Sequence, residues 1–169
     1  MEYRIEDTFD VSAERYWEMF FSEEYNSALW PALDIGWELL SFERSGEGPQ
    51  TRIHREQRLT PNREVPKLIS KFVSGAITYV EKNDFVAADN AMKSVTIPGF
   101  AADRINTVGT YRVEPLGDAK CKRVWDGVCE CRIPLIGGKV EKMLVEEVHE
   151  SYRRTTDFTR DWIAKHLSG

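Results

Sequence analysis

Hydrophobic and charged positions alternate through the first eleven residues of the chain. One face of this stretch carries the hydrophobic residues Tyr3, Ile5, Phe9 and Val11. An alternation with a period of two predicts a β-strand that buries one face. Ser12 then stands where a helix N-cap is expected, directly before the run AERYWEMFF. A second short helical run, SEEYNSAL, is predicted to stop at Trp30 and Pro31.

The middle of the chain is predicted to form strands that are joined by short turns. The segments IGWELLSFER and TRIHREQRL flank the turn-rich SGEGPQ, which indicates an antiparallel hairpin. Four further strand candidates, separated by ND, PGFAAD and LGDA, are AITYVEK, DFVAADNAMKSVTI, INTVGTYRVEP and KCKRVWDGVCECRIPL. Between the two groups, PNREVPKLISKFVSG predicts a short amphipathic helix, because Leu68, Ile69, Phe72 and Val73 share one helical face.

The last part of the chain reads as a single helix of about 30 residues, which runs from Lys139 to Leu167 and contains neither proline nor glycine. The predicted order is therefore one strand, two short helices, about six strands and one long helix. This order indicates an α+β fold in which helices pack on one face of an antiparallel sheet. Because no repeat or linker interrupts the pattern, residues 1–169 are expected to form a single domain.

The long helix has an unusual hydrophobic stripe. At 100° per residue, positions within about 40° of one line are Val140, Leu144, Val148, Ser151, Thr155, Phe158 and Trp162. We interpret this line as the side that faces the sheet. A packed core favours bulky residues at Ser151 and Thr155, so the hydroxyls there suggest that the middle of the helix faces open space. The alternative is that Ser151 and Thr155 bond the carbonyls four residues earlier in a tight helix crossing.

Three predicted strands also present uncharged and mostly small residues on one face, which we expect to point inward. These faces are Val86, Ala88, Asn90, Met92, Ser94 and Thr96; Ile105, Thr107, Gly109, Tyr111 and Val113; and Trp125, Gly127, Cys129, Cys131 and Ile133. A glycine inside a strand marks either a bend or a void. Both interpretations suit a sheet that curves around an open space.

Polar residues occupy both faces of TRIHREQRL. Arg55 lies on one face and His54 on the other. An inward side chain of either kind could recognise a carboxylate or hydroxyl group of a ligand. In an edge strand, by contrast, both faces would be wet. We take Arg55 as the candidate for polar recognition.

Two segments are candidate gates of the cavity. TIPGF places Ile97 and Phe100 in a turn, where apolar side chains would close a cavity mouth or touch a membrane. Phe72, in the predicted amphipathic helix, is the third gate candidate. The alternative for that helix is that it packs its apolar stripe onto the rest of the domain.

Composition and charge exclude several classes of function. With 28 acidic and 23 basic residues the net charge is -5, which argues against nucleic-acid binding. The start of the chain lacks the pattern of a signal peptide, and no run approaches the roughly 18 apolar residues of a membrane span.

Three cysteines without CxxC spacing indicate buried thiols in a reducing cytoplasm. The three histidines lack metal-ligand spacing, so we expect neither a metal nor a cofactor, and no catalytic motif was found.

Both ends of the chain resemble the helix-grip superfamily of START domains, the Bet v 1 birch-pollen allergen and polyketide cyclases (SRPBCC). The segments that carry the resemblance are DTFDVSAERYWEMFFSEEYNSAL near the start and IPLIGGKVEKMLVEEV with FTRDWIAKHL at the end. The resemblance implies a curved antiparallel sheet of about six or seven strands, wrapped around a long C-terminal helix, with two short helices after the first strand. It also implies an internal hydrophobic cavity, usually for a lipid or another apolar ligand.

Three functions follow as hypotheses. The first is a non-enzymatic carrier or sensor of a hydrophobic small molecule, a lipid, sterol or polyketide-like compound, with transient membrane contact. Its expected ligand-binding residues are Leu144, Val148, Ser151, Thr155, Tyr111, Trp125, Asn90, Met92 and Arg55. The second is a cyclase or aromatase in which Tyr111, His54 or Arg55 moves protons. The third is a protein-interaction module with a filled core, and the sequence favours the first of the three.

Overall fold

The computed structural model describes residues 1–168, which form a seven-stranded antiparallel sheet and three α-helices. The strands are β1 (Glu2–Phe9), β2 (Ile35–Ser45), β3 (Arg52–Pro61), β4 (Tyr79–Val86), β5 (Ala91–Pro98), β6 (Ile105–Pro115) and β7 (Cys121–Cys131). The helices are α1 (Ala13–Phe21), α2 (Glu23–Ala32) and α3 (Gly137–His166). The strand order is β1-β7-β6-β5-β4-β3-β2. The predicted α+β fold is confirmed: a sheet of seven strands grips a long C-terminal helix, with two short helices after β1.

Serine side chains cap both short helices. The Ser12 hydroxyl accepts a hydrogen bond from the Arg15 amide at the start of α1, and the Ser22 hydroxyl accepts one from the Tyr25 amide at the start of α2. Helix α2 runs to Ala32 and therefore passes the predicted stop at Pro31. The Leu33 amide bonds the Leu29 carbonyl at 3.1 Å, which closes the last turn around the proline.

The predicted amphipathic helix after β3 does not form. Residues 62–78 make a series of turns, in which the Ile69 amide bonds the Pro66 carbonyl and the Phe72 amide bonds the Ile69 carbonyl. Pro66 and Gly75 leave only the eight residues between them for a helix, and isolated helices below about 12 residues are marginal. The conformation of this segment is set instead by tertiary packing, since Ile69 is buried in the core.

The turn between β4 and β5 begins four residues later than the sequence suggests. The predicted turn at ND falls inside β4, where Asn83 is buried and pairs with Ser94 of β5 in the register. The chain turns instead at Ala87–Asp89, and Asn90 ends the turn with a left-handed φ of 46°. Asparagine tolerates this conformation better than most residues, so Asn90 belongs to the turn and not to a strand face.

Helix α3 buries a different stripe from the predicted one. Its buried residues are Val140, Val145, Thr156, Thr159 and Ile163. Beyond Val140, this face is turned by about 100° from the predicted line. The predicted line through Leu144, Val148, Ser151 and Thr155 is only half-buried, and it faces the cavity described below.

The two central glycines of β6 and β7 lie opposite each other and make room for aromatic rings. A Cβ atom on Gly109 would lie 2.8 Å from the Trp125 ring, and one on Gly127 would lie 2.4 Å from the Tyr3 ring. Neither approach is tolerable for a side-chain carbon. These glycines therefore seat Trp125 and Tyr3 close to the sheet, so that the rings form the cavity floor without filling the cavity.

Candidate ligand-binding site

A cavity of about 720 Å³ lies between the inner face of the sheet and helices α2 and α3. This volume falls within the range of about 300–1,000 Å³ that is typical of small-molecule sites. Eight of the nine predicted ligand-binding residues line it: Leu144, Val148, Ser151, Thr155, Tyr111, Trp125, Met92 and Arg55. The ninth, Asn90, does not, because it lies in the turn between β4 and β5.

Only one of the three predicted gate residues reaches the cavity. Phe100 is buried and lines the wall. Ile97 is 37% exposed, because the alternation of β5 turns Ser94 and Thr96 inward and Ile97 outward. Phe72 is 38% exposed in the turns after β3 and is likewise absent from the wall.

Aromatic rings form much of the cavity surface. Trp125 and Tyr152 are stacked with ring centroids 6.0 Å apart, and Tyr111 meets both rings at an angle. Phe20 of α1 also lines the cavity, and its ring centroid lies 5.2 Å from that of Tyr111. Such a wall can bury a large apolar surface and also contact it with ring faces.

A buried arginine stands at one end of this wall. Of the two positions left open for Arg55, the structure shows the inward one: the side chain is 3% exposed, and β3 lies inside the sheet and not at its edge. Its Nε and Nη2 atoms donate to Asn83 Oδ1 at 3.0 and 2.9 Å, and its guanidinium lies 4.8 Å from the Phe20 ring centroid. Burial lowers the pKa of Arg55, while the Glu81 carboxylate, 3.9 Å away, opposes this shift.

Amides connect Arg55 to its carboxylate partner. Glu81 Oε1 accepts hydrogen bonds from Asn83 Nδ2 at 3.0 Å and from Gln57 Nε2 at 3.2 Å. Gln57 Oε1 in turn accepts from Trp37 Nε1, and Asn83 Nδ2 also donates to Ser94 Oγ. Because each of these groups has a partner, the network holds the Arg55 and Glu81 charges in one arrangement inside the protein.

A second buried arginine, Arg123 of β7, also lines the cavity and is fully enclosed. Its Nη2 atom donates to Asp7 on β1 and to Thr156 Oγ1 on α3. The guanidinium also lies within 6 Å of ring centroids, at 4.9 Å from Tyr152 and 5.9 Å from Tyr111. Arg123 thus ties the sheet to the helix at the floor of the cavity.

Hydroxyl groups complete the polar part of the wall. The Tyr16 and Tyr111 hydroxyls are 2.5 Å apart, and the Tyr25 and Thr159 hydroxyls are 2.6 Å apart. Burial raises the pKa of all three tyrosines, so these hydroxyls remain neutral hydrogen-bonding groups. Thr155 Oγ1 donates to the Ser151 carbonyl four residues earlier, as in the alternative for this stripe, and both residues also face the cavity.

The histidines lie outside the cavity. His54 is on the outer face of β3, where its ring nitrogens contact Asp84 and Glu56. The hydrogen bond to Asp84 raises the pKa of His54. His54 therefore does not face the cavity beside Tyr111, and the described residues 1–168 contain no group of three side chains that could hold a metal ion.

Cys121, Cys129 and Cys131 are buried, and within residues 1–168 none of them forms a disulfide. Burial raises the pKa of Cys121 to about 11, which keeps this thiol protonated and unreactive. No helix in that part of the chain is both long and apolar enough to cross a membrane.

Four residues of the polar network were not identified from the sequence: Asn83, Gln57, Glu81 and Arg123. Arg123 precedes Trp125 by two positions, so the strand alternation already places it on the inward face. A charged residue in phase with a buried face is thus the signal that could have identified it. Asn83 carried no such signal, because the ND pair is typical of a turn.

Comparison with known proteins gives both a family and a fold. A family model described as a protein of unknown function, DUF2505, matches residues 4–163. No curated protein matches the chain.

Solved structures with the same architecture come from several organisms. The Zhui aromatase/cyclase of Streptomyces sp. R1128 superposes with a TM-score of 0.64 at 13% identity, over 100% of this chain and 96% of that one. A START superfamily protein of Mycobacterium smegmatis gives 0.62 at 16%, over 96% and 98% of the two chains. Norcoclaurine synthase of Thalictrum flavum, in complex with dopamine and hydroxybenzaldehyde, gives 0.56 at 17%, over 100% and 89%. The chain therefore belongs to the DUF2505 family and has the helix-grip fold of the START superfamily.

Proposed function

We propose that this protein binds one hydrophobic small molecule, a lipid, sterol or polyketide-like compound, between the sheet and α3 and carries or senses it. The observation that carries the proposal is the cavity itself, whose 720 Å³ are surrounded by apolar and aromatic side chains together with a substantial number of polar and charged ones. Desolvation would drive binding at about 25 cal/mol per Å² of apolar ligand surface, before ordering costs. The family model covers almost the whole chain, which supports a single domain.

The same cavity argues against a filled-core interaction module. Protein interiors are packed as densely as organic crystals, so a chain under selection only for a stable surface would fill this space. The half-buried hydroxyls of Ser151 and Thr155 keep it open on the helix side.

A cyclase-type enzyme is the second candidate, and the observation that favours it is the titratable side chains in the wall. Glu81, Arg55 and the Tyr16–Tyr111 pair line one cavity. Proton transfer is most efficient when the pKa lies near the working pH. Burial moves the pKa of both tyrosines away from neutrality, so their hydroxyls suit ligand orientation better than proton abstraction.

Blocking the cavity is expected to abolish ligand binding. The wild-type protein should bind the neutral fluorescent probe N-phenyl-1-naphthylamine at one saturable site. Ser151→Phe places a ring into the cavity from α3 and should weaken this binding by at least about tenfold, which corresponds to about 1.4 kcal/mol. Ser151→Ala removes the hydroxyl but keeps the space, and should retain the affinity in the same fluorescence titration. Equal affinities for all three proteins would contradict the proposal.

Membrane contact is part of the proposed carrier function, and an exposed apolar residue supports it. Leu135, in the loop between β7 and α3, is fully exposed and adopts a left-handed φ of 69°. The loop on either side of it, at Ile133 and Ile136, packs with Ile69 and Phe100 at one end of the molecule. A leucine held outward in this way matches a lipid surface better than water.

Removing this side chain should weaken membrane binding. We expect Leu135→Ser to reduce co-flotation with phosphatidylcholine–phosphatidylserine vesicles about threefold or more, because the leucine contributes up to about 1.5–3 kcal/mol on burial in an apolar phase. Leu116→Ser, which changes an exposed leucine in the turn between β6 and β7, is the matched control. Wild-type protein that stays with the soluble fraction would exclude this part of the proposal.

The three buried thiols support a reducing compartment, so we place the proposed function in the cytoplasm. Oxidising compartments favour paired cysteines. Mass analysis under non-reducing conditions checks this point: the protein from its own cells should carry three reduced thiols.

A further inference from the structure

A carboxylate on the inner face of the sheet opens into the cavity. Glu81 lies on β4, inside the sheet, and the register places it between Gln57 of β3 and Thr96 of β5. All three side chains line the cavity. The Glu81 side chain is 22% exposed, and because it points to the inner face of a central strand, this exposure is to the cavity.

The two oxygens of this carboxylate differ in their contacts. Glu81 Oε1 accepts the hydrogen bonds from Asn83 and Gln57, and it is also the oxygen that lies 3.9 Å from Arg55 Nη2. Oε2 has no hydrogen-bond partner among residues 1–168, and it is not enclosed by other atoms. Hydrogen bonds to a charged acceptor are roughly twice as strong as those between neutral groups. Oε2 is therefore a strong acceptor that a ligand can reach.

Neutral hydroxyl groups lie near this acceptor. Tyr79 precedes Glu81 by two positions on the same face of β4, and Tyr152 faces the cavity from α3. Burial, and after it the charge of Glu81, raises the pKa of both tyrosines, so that their hydroxyls stay protonated. Within the described part of the chain neither hydroxyl has a hydrogen-bond partner, and neither is enclosed. The wall around Glu81 thus offers a charged acceptor beside neutral donors.

The position of Arg55 favours an uncharged ligand group at this place. Its guanidinium is enclosed and lies 3.9 Å from the Glu81 carboxylate, so the two charges already offset each other. A ligand ammonium at Oε2 would be repelled by Arg55, and a ligand carboxylate would be repelled by Glu81. An uncharged donor leaves this balance as it is.

We propose that the ligand carries a hydroxyl group that donates a hydrogen bond to Glu81 Oε2. This inference rests on the proposed function and names a functional group of the ligand in that cavity. A hydroxyl has one proton to donate and two lone pairs, so its oxygen can also accept from a tyrosine hydroxyl. A ketone or an ether only accepts hydrogen bonds and would leave Oε2 open.

Three naphthalene derivatives with the same arrangement of heavy atoms test the proposal by displacement of N-phenyl-1-naphthylamine. They are 1-(2-naphthyl)ethanol, 2-acetylnaphthalene and 1-(2-naphthyl)ethylamine, which carry a hydroxyl, a ketone and an ammonium group. The alcohol should displace the probe from the wild-type protein at about tenfold lower concentration than the ketone or the amine, the effect of one hydrogen bond to a charged acceptor. Equal potency of alcohol and ketone, or strongest binding of the amine, would overturn the inference.

A pair of matched variants assigns the preference to Glu81. Glu81→Gln keeps an oxygen for the Asn83 and Gln57 hydrogen bonds but replaces the open acceptor by an amide donor, so alcohol and ketone should bind within about twofold of each other. Glu56→Gln makes the same change on the outer face of β3, where the side chain is 27% exposed and pairs with Lys82 at 3.1 Å. This control should keep the tenfold preference of the wild type.

An unchanged preference for the alcohol in Glu81→Gln would also overturn the inference. If Glu81→Gln does not fold, the comparison of alcohol and ketone on the wild-type protein decides alone.

The two proposals fail in different ways. If the probe does not bind the wild-type protein, the cavity is not a small-molecule site and the proposed function fails together with the inference. If the probe binds and Ser151→Phe excludes it, but the alcohol has no advantage, only the functional group of the ligand is wrong.

Discussion

Replacing Arg123 with methionine lowers the free energy of unfolding by about 3–5 kcal/mol, because removing one member of a buried ion pair leaves the other without compensation. The guanidinium is fully enclosed, and it bonds Asp7 of β1 and Thr156 of α3. Methionine fills a similar space but cannot donate a hydrogen bond. The change should be measured as the shift of the urea unfolding midpoint, with an unchanged slope of the transition.

Two variants separate this effect from ordinary surface electrostatics. Arg112 of β6 pairs with Asp126 at 2.8 Å, but the two side chains are 35% and 36% exposed. Arg112→Met should therefore cost less than about 1 kcal/mol. The double change Asp7→Asn with Arg123→Met should recover part of the stability, since it removes the unpaired carboxylate. Equal costs for the two single arginine variants would show that Arg123 is not a buried tie between sheet and helix.

Asn83→Leu is expected to cost about 3 kcal/mol, because it removes the acceptor on which the buried Arg55 charge depends. Asn83 Oδ1 accepts both the Nε and the Nη2 hydrogen bonds of Arg55. Without them, the guanidinium retains a 3.4 Å contact with the Phe20 carbonyl and the more distant Glu81. Urea unfolding gives the cost, and the Arg55 end of the cavity should also lose its fixed geometry.

The control is the same substitution on the outer surface of the sheet. Asn106 of β6 is exposed, so Asn106→Leu should stay within about 0.5 kcal/mol of the wild type. Asn83→Leu should in addition weaken binding of N-phenyl-1-naphthylamine, whereas Asn106→Leu should not. If Asn83→Leu unfolds at the wild-type urea concentration, the network around Arg55 is not a structural part of the cavity.

The architecture could be predicted because its elements have strong periodic signals. β1 shows a clean alternation, and α3 is long, with neither proline nor glycine from Lys139 onward. Segments with weaker periodic signals were predicted wrongly where tertiary contacts outweigh the local preference for helix or strand. Residues 67–74 have helical periodicity but too little length between Pro66 and Gly75, and the turns around them are held by burial of Ile69.

Residues of the cavity wall could be predicted where small polar side chains recur on one face of a helix, as at Ser151 and Thr155 of α3. Arg123 of the wall, and Asn83, which bonds the wall residue Arg55, were missed because each is a charged or amide side chain that is paired inside the protein. A sequence shows the cost of burying such groups but not the partner that offsets it. Those partners, Asp7 and Arg55, are on other strands, 116 and 28 residues away along the chain.

Native mass spectrometry of the protein purified from its own cells tests the central claim most directly. The account predicts a stoichiometric small-molecule adduct that is lost on denaturation, that is absent from Ser151→Phe and that is retained by Ser151→Ala. Extraction of the adduct would then identify the ligand and its functional groups. A wild-type protein that carries no adduct, together with a gain of stability in Ser151→Leu with Thr155→Leu and no loss of function, would contradict the claim that this cavity is a binding site.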